Sequence, residues 1–186
     1  MIFESWEWKK ELRERMRQFL RYNTKDNFDC DSEKTCFRLE RSLLYSAFII
    51  RFLIESEKLS NDADTFSINV TYYLPIKHIN RLHCWIDDDK YDWGVPKIQT
   101  VLGKNICNWL IHSYMFNFLY EESGSVTGFF VASDYDRNRA LYTVNLKDWL
   151  KFVEFVISDD VVSMTTKFDK KRSDYVITDK KRGARK

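Results

Sequence analysis

Two stretches of the sequence place polar residues at helical spacing among apolar neighbours. In residues 32–59, Arg41, Arg51 and Glu55 interrupt a run that is otherwise rich in Leu, Ile and Phe. In residues 97–122, Asn108 and His112 stand four positions apart in a similar setting. Residues three or four positions apart share one face of a helix. The spacing therefore predicts one polar face on each helix, formed by Arg41, Tyr45, Arg51 and Glu55 on the first and by Lys104, Asn105, Asn108 and His112 on the second.

These residue types are suited to phosphate chemistry. A histidine exchanges protons near neutral pH, so His112 is the candidate general acid or base, and Asn108 would orient it or the substrate. The candidate substrate-binding groups are Lys104, Asn105, Arg41 and Arg51. Glu55 follows Arg51 by four residues and is expected to pair with it, with Tyr45 as a second structural partner. The same residues also fit a structural ion-pair network, which is the alternative interpretation.

The segment Asn108-Trp109-Leu110-Ile111-His112 resembles the Asn-x-x-x-His part of the Arg-Asn-x-x-x-His signature of the HEPN superfamily. The resemblance covers residues 5–60 and 97–122. It implies two long packed helices, a metal-independent ribonuclease or an inactive relative, and a homodimer that joins two signatures over an RNA cleft. Toxins and host-defence nucleases are the expected setting.

The sequence departs from this signature at the position of the arginine. Cys107, Ile106 and Asn105 occupy the positions where the family has it, and Lys104 lies one position too far from the histidine. The missing cation would have to be Lys104, or Arg41 or Arg51 from the other helix. Two functions therefore stay open. The first is RNA binding or cleavage without a cofactor or metal. The second is a non-enzymatic protein-interaction module whose buried polar face fixes packing or dimer geometry.

The composition excludes several other classes. Among 186 residues, 16% are aromatic, whereas there are only 5 Gly and 2 Pro. This composition provides enough large apolar side chains for a hydrophobic core and is unlike that of a disordered segment. No glycine-rich phosphate loop occurs. The net charge of +2 does not by itself demand a nucleic acid. The four cysteines form no CxxC pair, and no signal peptide or membrane span is apparent, which predicts a cytoplasmic protein with reduced thiols.

Two weaker patterns carry alternative chemistry. His78, His83 and Cys84 lie close together and form a possible zinc-binding group, but a tight second pair of ligands is lacking. The run Asp134-x-Asp136-x-Asn138 begins like a calcium loop, but it lacks the following Gly and the distal Glu, so we expect a hairpin turn there. We therefore predict no metal site.

The order of the elements predicts an α+β fold in one domain, residues 1–178, followed by a basic tail at 179–186. The helical core is expected to consist of an amphipathic helix at 5–22 and long helices at 32–59 and 97–122, the first of the long helices buried on several sides. An antiparallel sheet is expected from β-rich segments at 65–86 and 124–178. Its clearest parts are a strand at 65–74 and a hairpin that turns at 133–138, and a further helix is expected at 147–158.

Overall fold

The computed structural model describes residues 4–82, 85–122 and 124–183, and its elements confirm the α+β class. The helices found in this part are α1 (Ser5–Tyr22), α2 (Lys25–Cys30), α3 (Ser32–Glu55), α4 (Asn61–Thr65), α5 (Gly103–Ile111) and α6 (Leu146–Ile157). The strands are β1 (Ser67–Tyr73), β2 (Lys97–Leu102), β3 (Ser113–Tyr120), β4 (Val126–Ser133), β5 (Leu141–Asn145), β6 (Val161–Asp169) and β7 (Asp174–Arg182).

Five of the strands form one antiparallel sheet in the order β2-β1-β5-β4-β3. The predicted hairpin is present, because β4 and β5 pair on either side of the turn at 133–138. Asn138 ties this turn to Ile79, which lies outside the hairpin: its Oδ1 accepts a hydrogen bond from the Ile79 amide (2.7 Å), and its Nδ2 donates one to the Ile79 carbonyl (3.1 Å). The Asp134-x-Asp136-x-Asn138 run is therefore a hairpin turn, as expected.

The helices cover one face of the sheet. Helices α5 and α6 contact the sheet directly, and α1 and α3 pack against them. Trp149 and Phe152 of α6 and Phe129 of β4 are fully buried at this junction. Removing one such side chain from water stabilises the fold by about 1.5–3 kcal/mol. The core therefore lies directly beneath the helix that carries Asn108.

The opposite face of the sheet is covered by the long connection between β1 and β2. Ile79 and Tyr91 of this connection are buried against Met115, Ala132 and Leu141 of the sheet. The described residues of this connection form no helix or strand, and a bridge between Pro75 and Tyr91 ties its two ends together. The β-rich segment expected at 65–86 is therefore a strand only up to Tyr73 within the described residues.

The long helix predicted at 97–122 is wrong. Residues 97–102 form β2, only Gly103–Ile111 is helical, and Ser113–Tyr120 forms β3. The edge of β1 pairs with β2, and four aromatic residues make the segment after the helix a good strand, since aromatic side chains pack well on a pleated surface. Tertiary pairing has overridden the local helical periodicity.

Helix α3 packs against α1, α2, α5 and α6, but Phe37, Tyr45 and Phe48 on its outer face are more than half exposed. The segment between α1 and α3 contains the short helix α2. The basic tail expected to begin at residue 179 is strand as far as Arg182, where β7 ends. Strands β6 and β7 form a separate two-stranded ribbon.

Candidate functional site

The start of α5 is set by a glycine that no larger residue can replace without movement. A Cβ atom at Gly103 would lie 2.5 Å from the ring of Phe152 in α6. The Gly103 amide donates a hydrogen bond to the Phe66 carbonyl (2.8 Å), which ties the first turn of α5 to the segment before β1. This close approach fixes the depth at which α5 lies against the core.

The end of α5 positions the predicted histidine. His112 is the residue that caps the helix, and its amide donates to the Asn108 carbonyl (2.9 Å). Its own carbonyl accepts a hydrogen bond from the Asp134 amide (3.2 Å). The His112 backbone is therefore held between α5 and the turn after β4, whereas its imidazole is exposed.

The predicted residues of α5 line the wall of a cleft of about 480 Å³, which we call the main cleft. Arg51 of α3 lies on the same side as the α5 residues, and the β4–β5 turn supplies the opposite wall. The lining consists of Arg51, Asn105, Asn108, Trp109, His112, Ser133, Asp134, Tyr135 and Asp136. Four residues that the sequence separated into two faces thus share one site: Arg51, Asn105, Asn108 and His112.

A smaller depression of about 200 Å³ borders the main cleft, and we call it the side depression. Arg51, Asn108 and His112 line both, so these three residues form the ridge between them. The rest of the side depression comes from Phe48, Phe52, Glu55 and Ile111. A ligand in either hollow would meet the same cation, amide and imidazole.

Arg51 is held by the partner that the sequence predicted. Its Nε lies 2.6 Å from Glu55 Oε1, one helical turn along α3. Both side chains are partly exposed, so the pair is worth less than about 1 kcal/mol of stability. The contact uses Nε, and the planar guanidinium keeps its Nη edge for a second, bidentate partner such as a phosphate.

Asn108 has a buried oxygen without a partner. Among the described residues, no group donates a hydrogen bond to Asn108 Oδ1. An unsatisfied buried acceptor costs about 1–3 kcal/mol, so a ligand donor at this position would remove a penalty. A backbone hydrogen bond joins Asn108 and His112, but the orientation of the imidazole by the Asn108 side chain stays a prediction.

The β4–β5 turn, which supplies the opposite wall of the main cleft, was not among the site residues expected from the sequence. Asp134 lies 2.9 Å from Arg137 Nη1, and Ser133 Oγ donates a hydrogen bond to Asp136 Oδ2 at 2.6 Å. Arg139 stacks over the ring of Tyr135, 3.8 Å from its centroid. One wall of the main cleft therefore carries a cation and an imidazole, and the other carries two carboxylates, of which Asp134 is paired with Arg137. The only sequence signal was the Asp-x-Asp spacing, which we interpreted as a turn.

Aromatic packing holds Trp109 in the lining of the main cleft. Trp109 stacks on Tyr142 of β5 with ring centroids 3.8 Å apart and planes 10° from parallel. Burial, together with the nearby Asp136 carboxylate, raises the pKa of Tyr142, so this phenol is neutral at physiological pH. Burial likewise raises the pKa of the Cys107 thiol on the inner side of α5, which makes it an unreactive core residue.

Three of the predicted residues line neither the main cleft nor the side depression. Arg41 is exposed on α3 beside the ring of Phe37, 5.8 Å from its centroid. Lys104 is partly buried in the first turn of α5 and does not line the main cleft or the side depression. Tyr45 lines an apolar hollow of about 410 Å³ that it shares with Leu44, Phe48, Leu110, Ile111 and Ser113.

No group of His, Cys, Asp or Glu side chains within the described ranges is arranged to hold a metal ion. His78 is exposed in the β1–β2 connection, whereas His83 and Cys84, the other members of the possible zinc-binding group, lie outside the described residues. Nor does any helix in the described part of the chain have the length and apolar character needed to cross a membrane. No protein-family model, curated protein or solved structure matches this chain.

Proposed function

We propose that this protein is a HEPN-like, cytoplasmic RNA-binding protein that cleaves RNA in the main cleft without a metal ion. The observation that carries the proposal is the ridge on which Arg51, Asn108 and His112 meet. It supplies the cation that the sequence signature lacks, from α3, the neighbouring helix. The resemblance itself rests on the Asn108-to-His112 spacing.

The reaction is attack of a ribose 2′-hydroxyl on the adjacent phosphorus. His112 takes the proton of that hydroxyl, and the new O–P bond forms as the bond to the 5′-oxygen breaks. The leaving oxygen takes a proton from solvent, which reaches the open cleft, and His112 then releases its own proton to water. The products are a 2′,3′-cyclic phosphate and a 5′-hydroxyl end. Arg51 stabilises the charge that develops on the phosphoryl oxygens.

The carboxylates of the opposite wall give this cleft a preferred ligand orientation. Asp134 is paired with Arg137, so Arg51 is the lining cation that a phosphate would meet, and Asp136 disfavours a phosphate close to the turn. Carboxylates accept hydrogen bonds from hydroxyl groups, and a ribose offers a 2′-hydroxyl donor that a deoxyribose lacks. A ligand that is anionic at one end and rich in hydroxyl donors at the other, such as a ribonucleotide, fits both walls.

Cleavage of single-stranded RNA in the presence of a chelator tests this proposal. The wild-type protein is expected to yield cyclic-phosphate ends, and an otherwise identical strand of DNA is expected to stay intact. His112→Ala should lower the rate by about 10²–10⁴, the contribution typical of a general acid or base. Equal rates for the two proteins, or no cleavage by either, would overturn the nuclease proposal.

A second candidate function, a protein-interaction module that forms homodimers, is favoured by the apolar hollow beside the ridge. Tyr45 and Phe48 are each 54% exposed, and Ile111 is 37% exposed. Phe48 and Ile111 line both this hollow and the side depression. A second copy docked on α3 would cover these apolar groups and bring two His112 side chains towards one interface.

The oligomeric state of a charged variant tests the dimer. Phe48→Glu places a carboxylate in the apolar hollow and is expected to convert the dimer into a monomer in light scattering. Ile76→Glu is the matched control, because Ile76 is 62% exposed in the β1–β2 connection on the other face of the sheet. A wild-type monomer, or the same dimer in all three proteins, would exclude this interface.

A further inference from the structure

The ribbon of β6 and β7 ends in a turn that concentrates positive charge. Lys170, Lys171 and Arg172 follow one another directly between the two strands, and Ser173 closes the turn with a φ of 51°. Residues 167–175 contain four cations and two carboxylates, so this short tip has a net charge of +2, as large as that of the whole chain. We define residues 167–175 as the ribbon tip.

The two carboxylates of the ribbon tip are engaged within the turn. Asp169 Oδ1 accepts a hydrogen bond from the Lys171 amide (2.8 Å), and Asp174 Oδ1 accepts one from the Tyr175 amide (2.7 Å). Asp169 also lies 3.8 Å from Arg172, whose side chain is 75% exposed. The carboxylates shape the turn, and the cations remain at its surface.

An aromatic pair lies beside these cations. Phe168 and Tyr175 are register partners across the ribbon, with ring centroids 5.3 Å apart at an angle of 67°. They are nevertheless 48% and 69% exposed. An edge-to-face pair of this kind leaves ring faces open to solvent, and an open ring face is a surface on which a nucleobase stacks.

The base of the ribbon is anchored firmly, in contrast to its tip. Lys180 is 5% exposed and lies 2.5 Å from Glu57 Oε2 and 2.9 Å from Asp64 Oδ2. Arg182 donates a hydrogen bond to Ser158 Oγ (2.9 Å) and lies 3.4 Å from the buried carboxylate of Asp159. The ribbon therefore projects its tip from a fixed base.

We infer that the ribbon tip is a second contact for single-stranded RNA, separate from the main cleft. Its cations would meet the phosphates, and Phe168 and Tyr175 would stack on the bases. This combination of a charged track and aromatic platforms is the one that binds single strands without sequence preference. The inference rests on the proposed function, since it takes RNA as the ligand. It assigns binding to the ribbon and cleavage to the main cleft.

Fluorescence anisotropy with a short labelled oligouridylate tests the assignment, in a His112→Ala background that is not expected to cleave the probe. Replacing Lys170, Lys171 and Arg172 by Ala is expected to weaken binding and to make the slope of log affinity against log salt shallower by about 2. Each cation that contacts a phosphate contributes about 0.7 to this slope, and three are removed. The matched control removes three scattered exposed cations, Lys34, Lys97 and Lys147, which should leave affinity nearly unchanged.

The aromatic pair is tested separately. Phe168→Leu with Tyr175→Leu keeps the apolar character but removes the stacking faces, and we expect a loss of affinity of about fivefold to 100-fold. Thermal unfolding of each variant identifies any that fails to fold. Unchanged RNA affinity in both the charge and the leucine variants would overturn the inference. The same variants are also tested for binding to phosphatidylserine vesicles. If they lose vesicle binding and keep RNA binding, the ribbon tip is a membrane contact and the inference is wrong.

These results are distinguishable from failure of the proposed function. If the ribbon assignment is wrong but the main cleft is active, the ribbon variants cleave and bind RNA normally, whereas His112→Ala does not cleave it. If the cleft assignment is wrong, no His112-dependent cleavage is seen, and the ribbon variants still report on binding.

Discussion

The main cleft and the ribbon tip both expose polar side chains, but the fold holds them differently. In the main cleft, the His112 backbone is fixed on two sides, and Trp109, which also lines the cleft, stacks on Tyr142. At the ribbon tip, the hydrogen bonds that shape the turn are local, and the anchoring contacts lie at the far end of the strands. Bond making requires groups held in one geometry, whereas binding of a polyanion depends mainly on how many cations are available. This difference suits the cleft to chemistry and the ribbon to capture of the strand.

Among the substitutions that should affect the main cleft and the ribbon tip differently, the largest effect on the cleavage rate is expected at Arg51. Arg51→Ala removes the cation that stabilises the transition state and should lower the cleavage rate by about 10²–10³. Arg51→Lys restores charge without the bidentate edge and should recover only part of the rate. Affinity for RNA at the ribbon should change little in either variant. A rate unchanged by Arg51→Ala in single-turnover assays would contradict the role given to this side chain.

The next effect concerns the support of the main cleft. Gly103→Ala forces a methyl group against Phe152 and is expected to lower the free energy of unfolding by about 1–3 kcal/mol, with a loss of cleavage as α5 shifts. Gly94→Ala is the control, because its Cβ would meet no atom closer than 3.7 Å. Urea unfolding should separate the two variants. Equal stability would mean that α5 can move without cost.

A substitution at Lys180, at the base of the ribbon, tests in the same way whether the fold supports the ribbon tip. Lys180→Met leaves the Asp64 and Glu57 carboxylates without their buried cation and should cost about 1–2 kcal/mol, since Glu57 is half exposed and can be hydrated. RNA affinity should fall, whereas cleavage of a saturating substrate should not. Lys181→Met, at the exposed neighbouring position, controls for the loss of charge. If both variants behave alike, the base does not anchor the ribbon.

The smallest effect is a dependence of stability on alkaline pH. Burial raises the pKa of Tyr91 from 10.0 to about 12, so the unfolded chain ionises at a lower pH than the folded one. For Lys180, burial acts to lower the pKa, but hydrogen bonds with Glu57 and Asp64 outweigh it and raise the pKa overall. Both raised values give stability that is complete below about pH 10 and declines as the pH rises towards 12. Thermal unfolding across this range should show the decline, and Tyr91→Phe should reduce it.

Much of the fold is predictable from local patterns. The amphipathic helix at the N-terminus, the long α3, the hairpin of β4 and β5 and the last helix α6 all lie close to their expected positions. In each of these elements the apolar residues recur at a regular interval, and polar residues mark the boundary. Residues 97–122 lack such marks apart from Gly103, and apolar aromatic runs of this kind fit a helix and a strand equally well. Their structure is decided by pairing with β1 and β4, which a local pattern does not contain.

The site is predictable to a similar degree. The one-turn spacing from Asn108 to His112 survives because both belong to the nine-residue α5 and its cap. Arg51 and Glu55 pair as expected. The carboxylates of the β4–β5 turn were missed because only the sheet brings them opposite α5. The ribbon lies largely in the β-rich segment expected at 124–178, but the end of β7 was missed because Lys180 and Arg182 were assigned to a basic tail, although Lys180 is buried by carboxylates distant in sequence.

The most direct test of catalysis in the main cleft is the cleavage rate of His112→Ala at saturating single-stranded RNA in a chelator, with RNA affinity measured on the same samples. We expect a rate about 10²–10⁴ lower than wild type and an affinity that is nearly unchanged, because His112 acts on the proton and the ribbon holds the strand. A wild-type rate in His112→Ala would contradict it.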